Sequence, residues 1–226
     1  MVRRNEKMKK ILLIGDSIRI GYGQYVEFAF DGVAKVYYPG ENCRISSYVI
    51  KYLNVWKKQL NLDDVDLVHF NAGIWDAIVM NDGKSVTSIE EYRENIGRIC
   101  ELIKILFPSA KIVFATTTPA KESDEHPFTK ELNRQIEKYN PVAIEVAKSY
   151  GAEIDDLYSV VKAVPPEYYS DQVHLYSRPA TDLISNKVIS CIEESLGIKA
   201  ARYDVITKYD QIREEARSHK KENIYK

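Results

Sequence analysis

Lys9-Lys10-Ile11-Leu12-Leu13-Ile14-Gly15-Asp16-Ser17 is an apolar run that ends abruptly in Gly-Asp-Ser. The run is too short for a buried helix, and it is typical of a central parallel strand that delivers a side chain to the carboxyl edge of a sheet. Ligands bind at that edge in open α/β sheets. The pattern therefore makes Ser17 a candidate nucleophile, which needs a base, an orienting acid and an oxyanion site from the rest of the chain.

Short apolar runs and helical patterns alternate along the chain. Apolar residues recur at helical spacing in four stretches, and Pro141 inside the third predicts a kink or a break near Asn140. The alternation predicts an α/β fold with one five-stranded parallel sheet and helices on both of its faces. The predicted strands are 11–15, 33–38, 66–70, 111–116 and 152–155.

The overall composition argues against several functional classes. The chain has 226 residues, a formal net charge of −1 and 29% charged residues, so neither nucleic acid nor an anionic membrane is an expected partner. Cys100 and Cys191 fall on apolar helical positions, and the three cysteines form no CxxC pair, which predicts buried reduced thiols and a cytoplasmic location. The apolar run 11–14 is too short for a signal peptide. No metal or cofactor is expected.

The last stretch of the chain is more highly charged than the rest. We predict one α/β domain over residues 1–200 and a charged helical extension over residues 201–226. Apolar residues of the extension line one helical stripe, which favours a surface helix over a partner-binding segment. The stripe consists of Tyr203, Ile206, Tyr209, Ile212 and Ala216.

Asp171 and His174 are the candidates for the orienting acid and the base. They lie three residues apart in a loop before the last predicted helix. This spacing lets the carboxylate accept a hydrogen bond from imidazole Nδ1, which leaves Nε2 free to take the serine proton. A lone DxxH is more often an ordinary capped turn, so the pair gains weight only together with Ser17. His69, inside a predicted strand, is interpreted as a packed residue.

The Gly15-Asp16-Ser17 and Asp171-x-x-His174 blocks, at opposite ends of the chain, resemble those of the GDSL or SGNH hydrolase family. The resemblance extends over about residues 9–196, which makes 1–200 a hydrolase-like domain. It implies a flavodoxin-like three-layer αβα sandwich. It also implies that Ser17 attacks an ester carbonyl while His174 acts as general base and then as general acid, oriented by Asp171.

The family's oxyanion hole uses the serine N–H, a glycine N–H after the second strand and an asparagine amide after the third. Gly40 is the only glycine in the first of these loops, whereas counting back from the next helix puts Cys43 at the glycine position. Both are candidate backbone donors beside Ser17. Asn42 and Arg44 flank Cys43 and are candidate substrate-binding residues, although structural pairing is favoured for Arg44 and also for Arg19.

The loop after the third predicted strand departs from the family pattern. When Gly73 and Asp76 are aligned with the family motif, Trp75 stands where the asparagine is expected. Asn71 lies two residues before the glycine and is the favoured amide donor, although it could instead cap its own turn. Asn42 could reach in as the donor, or the hole could have fewer donors. Trp75 is interpreted as a wall of the substrate pocket.

The favoured function is a serine ester hydrolase that removes an acyl group, with acetyl preferred, from a carbohydrate or small ester. The reaction would pass through an acyl-enzyme. Two alternatives stay open, namely a non-catalytic glycan- or nucleotide-binding protein on the same fold and an O-acyltransferase. Assembly into a homo-oligomer also stays open.

Overall fold

The computed structural model describes residues 8–215, which alternate strands and helices as predicted. The strands are β1 (Lys9–Ile14), β2 (Ala34–Tyr37), β3 (Leu67–Phe70), β4 (Lys111–Ala115) and β5 (Glu153–Asp155). The helices are α1 (Ser17–Phe30), α2 (Ser46–Gln59), α3 (Ile74–Ala77), α4 (Ile89–Leu106), α5 (Phe128–Ser149), α6 (Leu157–Lys162) and α7 (Arg178–Leu196). Two 3₁₀ helices are Pro166–Tyr168 and Val205–Lys208, and residues 209–215 are helical.

The five strands form one parallel sheet in the order β2-β1-β3-β4-β5. This confirms the predicted sheet, and the order is that of flavodoxin-like folds. The direction of winding reverses between β1 and β3, where Ile14 is in register with Phe70. In open α/β sheets ligands bind outside the carboxyl ends of the strands at such a reversal, and Ser17 follows β1 at that point.

Side chains of β1 alternate between two separate cores. Leu12 and Ile14 are fully buried with residues of α2, α4 and α5, whereas Ile11 and Leu13 are fully buried with residues of α1 and α7. Burial of each of these side chains is worth about 1.5–3 kcal/mol relative to exposure. The sheet is thus covered on both faces, which confirms the three-layer sandwich.

Helix α5 continues through Pro141, so of the predicted kink or break near Asn140 the break is wrong. Apolar residues on both sides of the proline, among them Ile136 and Ala143, are fully buried against the same core. The Asn140 side chain also accepts a hydrogen bond from Thr117 N–H at 2.9 Å and donates one to the Thr117 carbonyl at 3.0 Å. Packing and this paired contact hold the helix in place despite the loss of one backbone hydrogen bond.

The segment after α7 returns to the body of the domain. Val205 is fully buried and belongs to the same core as α1 and α7, and Tyr209 and Ile212 are half-buried against that core. The boundary at residue 200 stays a prediction, and residues 216–226, with Ala216 of the predicted stripe, lie outside the described residues. Within residues 8–215, no helix has the length and apolar character needed to cross a membrane.

The three cysteines are free and buried, as predicted for Cys100 and Cys191. Burial raises the pKa of the Cys43 thiol to about 11 and that of the other two thiols to about 12. All three side chains therefore stay uncharged at neutral pH, where a thiolate would be the reactive form.

Candidate active site

The nucleophile candidate stands at the junction of β1 and α1. Asp16 caps the helix, because its Oδ1 accepts a hydrogen bond from the N–H of Ile18 at 2.9 Å. Ser17 is the first residue of α1 and is half-buried. Backbone N–H groups in the first turn of a helix have no partner within the helix, and they carry its positive dipole end. Negative charge that develops next to Ser17 is therefore stabilised by the N-terminus of α1.

Gly15 lies against the end of β3. A Cβ atom at position 15 would lie 2.0 Å from Asn71 Oδ1 and 2.6 Å from Arg19 Cβ. Asn71 is buried, and its N–H donates to the Ile14 carbonyl at 3.0 Å, which extends the β1–β3 pairing. The absence of a side chain at position 15 therefore lets the Asn71 side chain, through its Oδ1, pack directly beside the Ser17 turn.

The Gly15→Ala variant should lose both stability and the ester hydrolysis that the sequence predicts. The added methyl group has to displace Asn71 or Arg19, and overpacking of this kind typically costs about 1–3 kcal/mol of unfolding free energy. Urea unfolding and ester hydrolysis assays measure the two losses. Gly23→Ala, in the helix that follows, is the matched control, because its Cβ would lie 3.6 Å from the nearest neighbour, Arg19 Cδ. Equal behaviour of the two variants would contradict the prediction.

Arg19 is a structural residue rather than a substrate ligand. Its side chain is only 3% exposed, and Nη2 donates to the backbone carbonyl of Glu41 at 2.5 Å. The guanidinium also lies over the ring of Tyr38, with 5.6 Å between Cζ and the ring centroid. Burial denies a substrate carboxylate access to Arg19, and the contacts tie α1 to the loop that follows β2.

Asp16 is a buried carboxyl group beneath the site. Burial raises its pKa, although hydrogen bonds from Ile18 N–H and the Asn71 side chain oppose the rise. The nearby charge of Arg19 and the proximity of His174 oppose it further. Asp16 thus lies close to both the amide candidate and the base candidate.

Asp171 and His174 form a hydrogen-bonded pair, as predicted. Asp171 Oδ2 lies 2.6 Å from His174 Nδ1, while Oδ1 accepts from the N–H groups of Val173 and His174, each at 2.8 Å. Partial burial would raise the pKa of Asp171, but these hydrogen bonds outweigh it and lower the pKa below its usual value. The carboxylate is therefore ionised at neutral pH and fixes the imidazole with Nε2 turned away from it.

Tyr176 links the base candidate to the nucleophile candidate. Its hydroxyl donates to the backbone carbonyl of Ser17 at 2.6 Å, and its ring stacks on the His174 imidazole with centroids 4.8 Å apart. A Cβ atom at Gly21 would lie 2.8 Å from the Tyr176 ring, so this face of α1 admits the ring only because a glycine is present. One side chain thus contacts both halves of the predicted site.

A second histidine–aspartate pair lies inside the molecule. His69 Nε2 is 3.0 Å from Asp155 Oδ2, and both side chains are fully buried. The His174 side chain, by contrast, is 27% exposed. Only the Asp171–His174 pair is open to a substrate, and the interpretation of His69 as a packed residue is confirmed.

The loop after β2 brings Cys43, and not Gly40, to the Ser17 turn. The Cys43 N–H, a predicted oxyanion donor, donates instead to the Gly15 carbonyl at 3.1 Å. This N–H is therefore already occupied. Gly40 is exposed, with no atom within 4 Å of its would-be Cβ. Asn42 Oδ1 accepts from the Arg44 N–H at 2.8 Å, and the exposed Arg44 guanidinium lies over a tyrosine ring. The loop thus satisfies its own polar groups.

The short helix α3 presents Trp75 to solvent on a rigid turn. Gly73 begins the turn at φ +153°, where a Cβ would lie 2.2 Å from Thr117 Oγ1. The buried Asp76 carboxylate accepts hydrogen bonds from Ser46 Oγ at 2.5 Å and Thr87 Oγ1 at 2.8 Å. Between these fixed neighbours, Trp75 is 40% exposed. Trp75 has no side-chain amide, so the expected asparagine donor is absent from this position.

Comparison with known proteins agrees with the fold and the motifs. The family model of the GDSL-like lipase/acylhydrolase family matches residues 13–178. A lipase/acylhydrolase from Enterococcus faecalis has 22% sequence identity and a TM-score of 0.66, and the match covers 83% of this chain and 96% of that one. A GDSL-like lipase from Bacteroides thetaiotaomicron has 20% identity and a TM-score of 0.65, with 86% and 93% coverage.

A further similar structure is that of a catalytic mutant of an acetylxylan esterase from Geobacillus stearothermophilus. It has 17% identity and a TM-score of 0.61, over 80% of this chain and 93% of that one. No curated protein sequence matches the chain. The match to the family model spans most of the sequence and includes Ser17, Asp171 and His174. The chain therefore belongs to the GDSL-like lipase/acylhydrolase family and is a hydrolase of ester bonds.

Proposed function

We propose that the protein is a serine esterase that removes an acetyl group from a carbohydrate or another small ester, with Ser17, His174 and Asp171 as its catalytic triad. The observation that carries the proposal is the 2.6 Å contact of Asp171 with His174 Nδ1, beside a serine at a helix N-terminus. The bond of Tyr176 to the Ser17 carbonyl supports the same assignment.

In the proposed reaction, Ser17 Oγ attacks the ester carbonyl carbon while His174 Nε2 takes the hydroxyl proton. Asp171 stabilises the imidazolium that results. The tetrahedral intermediate collapses when the imidazolium returns the proton to the alcohol oxygen, and the alcohol leaves an acyl-serine. Water, deprotonated by His174, then attacks the acyl-serine, and the protonated base returns the hydrogen to Ser17 Oγ as the acid departs.

Two donors are assigned to the developing oxyanion. The first is the Ser17 N–H in the first turn of α1, where the helix dipole favours negative charge. The second is the side-chain NH₂ group of Asn71, whose Oδ1 packs against Gly15; it carries two hydrogens, so one is available beside the hydrogen bond to Asp16. The Cys43 N–H is already bonded to the Gly15 carbonyl and is left out of the proposal.

A fluorophosphonate probe tests the nucleophile directly. The probe should form a covalent adduct on Ser17, which peptide mass spectrometry locates, and labelling should disappear in the His174→Ala variant. Hydrolysis of an activated acetate without any adduct on Ser17 would contradict the proposed triad. Release of free acetate in the presence of a large excess of sugar would favour water over a sugar hydroxyl as the acyl acceptor.

Carbohydrate is the favoured alcohol portion of the substrate. Trp75 offers an exposed indole on a fixed turn, and aromatic faces suit the apolar face of a sugar ring. The acetylxylan esterase among the similar structures acts on an acetylated sugar polymer according to its name, which supports the same substrate class.

The Trp75→Ala variant separates sugar binding from chemistry. Its KM for an acetylated xylo-oligosaccharide should rise by about 3- to 10-fold, since one stacking contact is worth roughly 1 kcal/mol. Its kcat/KM for 4-nitrophenyl acetate, which has no sugar ring, should stay within about twofold of the parent value. Trp75→Phe retains an aromatic face and serves as the matched control. An equal loss on both substrates would contradict the assignment.

A further inference from the structure

The segment that follows α7 contacts the residues beside the candidate triad. The Tyr209 hydroxyl donates to the backbone carbonyl of Tyr176 at 2.6 Å. Arg178, the first residue of α7, forms an ion pair with Asp210 at 3.2 Å. Together with the burial of Val205 in the core, these contacts hold the segment 205–215 against the base-bearing loop.

Arg213 places a positive charge on the ring of Tyr176, the side chain that contacts both Ser17 and His174. Its guanidinium lies over the Tyr176 ring, with 4.9 Å between Cζ and the ring centroid. Within residues 8–215, no carboxylate lies within ion-pair distance of this guanidinium, and its charge therefore faces the aromatic ring. A cation over a tyrosine face is attracted by the ring quadrupole, and more strongly where it is desolvated.

The Tyr176 ring in turn restricts both reacting groups. It stacks on the His174 imidazole, while its hydroxyl holds the Ser17 carbonyl. Tyr209 contacts the backbone of Tyr176 and Arg213 contacts its ring. Direct contacts therefore connect the segment 205–215 to His174 and Ser17 through Tyr176. The match to the family model ends at residue 178, before Tyr209 and Arg213.

We propose that Tyr209 and Arg213 are positioning residues for the ester hydrolysis, acting through Tyr176 on His174 and Ser17. The inference rests on the proposed function, because it assigns the base and the nucleophile as that function does. Loss of either contact would let the ring move and loosen the alignment of Nε2 with the serine hydroxyl. Misplacement of a reacting group by about 1 Å can cost up to roughly 100-fold in rate.

Arg213→Met and Tyr209→Phe test the inference with a substrate that requires little binding. Each variant should lower kcat for 4-nitrophenyl acetate by roughly 5- to 20-fold, with KM within about twofold of the parent value. The rate of Ser17 labelling by a fluorophosphonate should fall by the same factor. Arg213→Lys retains a cation over the ring and should recover most of the lost rate.

Lys208→Met is the matched control in the same segment. Lys208 lies over the ring of Phe28, 5.4 Å from its centroid, and this ring is not part of the site. The control should keep the parent kcat and labelling rate. Parent-like rates in both Arg213→Met and Tyr209→Phe would overturn the inference, as would an equal loss in Lys208→Met. If Arg213→Met does not fold, Tyr209→Phe decides the question: a parent-like kcat and labelling rate in that variant would overturn the inference.

A measurement without turnover separates this inference from the proposed function. The Tyr176 ring current shifts the ring-proton NMR signals of His174, which the His174→Ala variant assigns. These signals should move in Arg213→Met and stay unchanged in Lys208→Met, at one fixed pH. A wild-type protein that takes no label on Ser17 would sink the proposed function, whereas unmoved His174 signals in Arg213→Met would sink the positioning inference.

Discussion

Replacing Ser17 by alanine is expected to lower kcat for an aryl acetate by at least about 10⁴-fold and to abolish fluorophosphonate labelling. The variant keeps the oxyanion donors, because both the Ser17 N–H and the Asn71 amide remain, but it has no oxygen that can form an acyl-enzyme. Steady-state hydrolysis and labelling, measured on the same preparation, provide the two readouts.

The fold should tolerate this change. Ser17 is half-buried, and the bond that Tyr176 makes to position 17 goes to the backbone carbonyl, which alanine retains. Ser47→Ala is a matched control, since Ser47 is an exposed serine in the first turn of the neighbouring helix α2. Equal rates in Ser17→Ala and the parent protein would remove the nucleophile from the proposal and favour hydrolysis elsewhere on the protein.

Asp171→Asn should lower kcat by about 10⁴-fold while leaving the loop in place. The backbone N–H groups of Val173 and His174 both require an acceptor at the Oδ1 position, so the asparagine oxygen should occupy it. The amide NH₂ group then points at His174 Nδ1 and donates to it. The imidazole is forced to carry its proton on Nε2, where it cannot accept one from serine.

Asp82→Asn is the control for the Asp171 variant, because Asp82 Oδ1 accepts the Lys84 N–H in a similar turn.

The pH dependence of stability gives a second readout of the role of Asp171. A carboxyl group whose pKa is lowered in the fold stabilises the fold at pH values above its unfolded pKa, and this contribution is lost as the pH falls through the folded pKa. The stability difference between the parent and Asp171→Asn should therefore disappear in acid. An Asp171→Asn variant with parent-like kcat would refute the role of Asp171.

The sheet and the Asp171–His174 contact could be predicted from the sequence because their signals are local. A buried strand has its own apolar run, and a spacing of three residues brings a carboxylate to an imidazole within one turn. Ser17 can be predicted for the same reason, since the strand, the glycine and the helix start are contiguous. The βα alternation predicts that Ser17 lies at the carboxyl edge of the sheet, where ligands bind in open α/β folds.

Other features depend on contacts between distant parts of the chain. The continuity of α5 through Pro141 depends on a hydrogen-bonded pair with Thr117, and the burial of Arg19 depends on a carbonyl 22 residues away. The placement of Arg213 over Tyr176 has no local pattern at all. Such contacts arise from packing, which outweighs the local preferences that a sequence pattern expresses.

The hydrogen bond between Tyr176 and Ser17 joins residues that lie 159 positions apart. Closing so long a loop costs chain entropy that nearby contacts have to repay first, so we expect this contact to form late during folding. A partly synthesised or partly folded chain would carry the serine without its base. The reactive centre would then appear only when both ends of the domain have folded together, which would keep nascent chains from attacking esters.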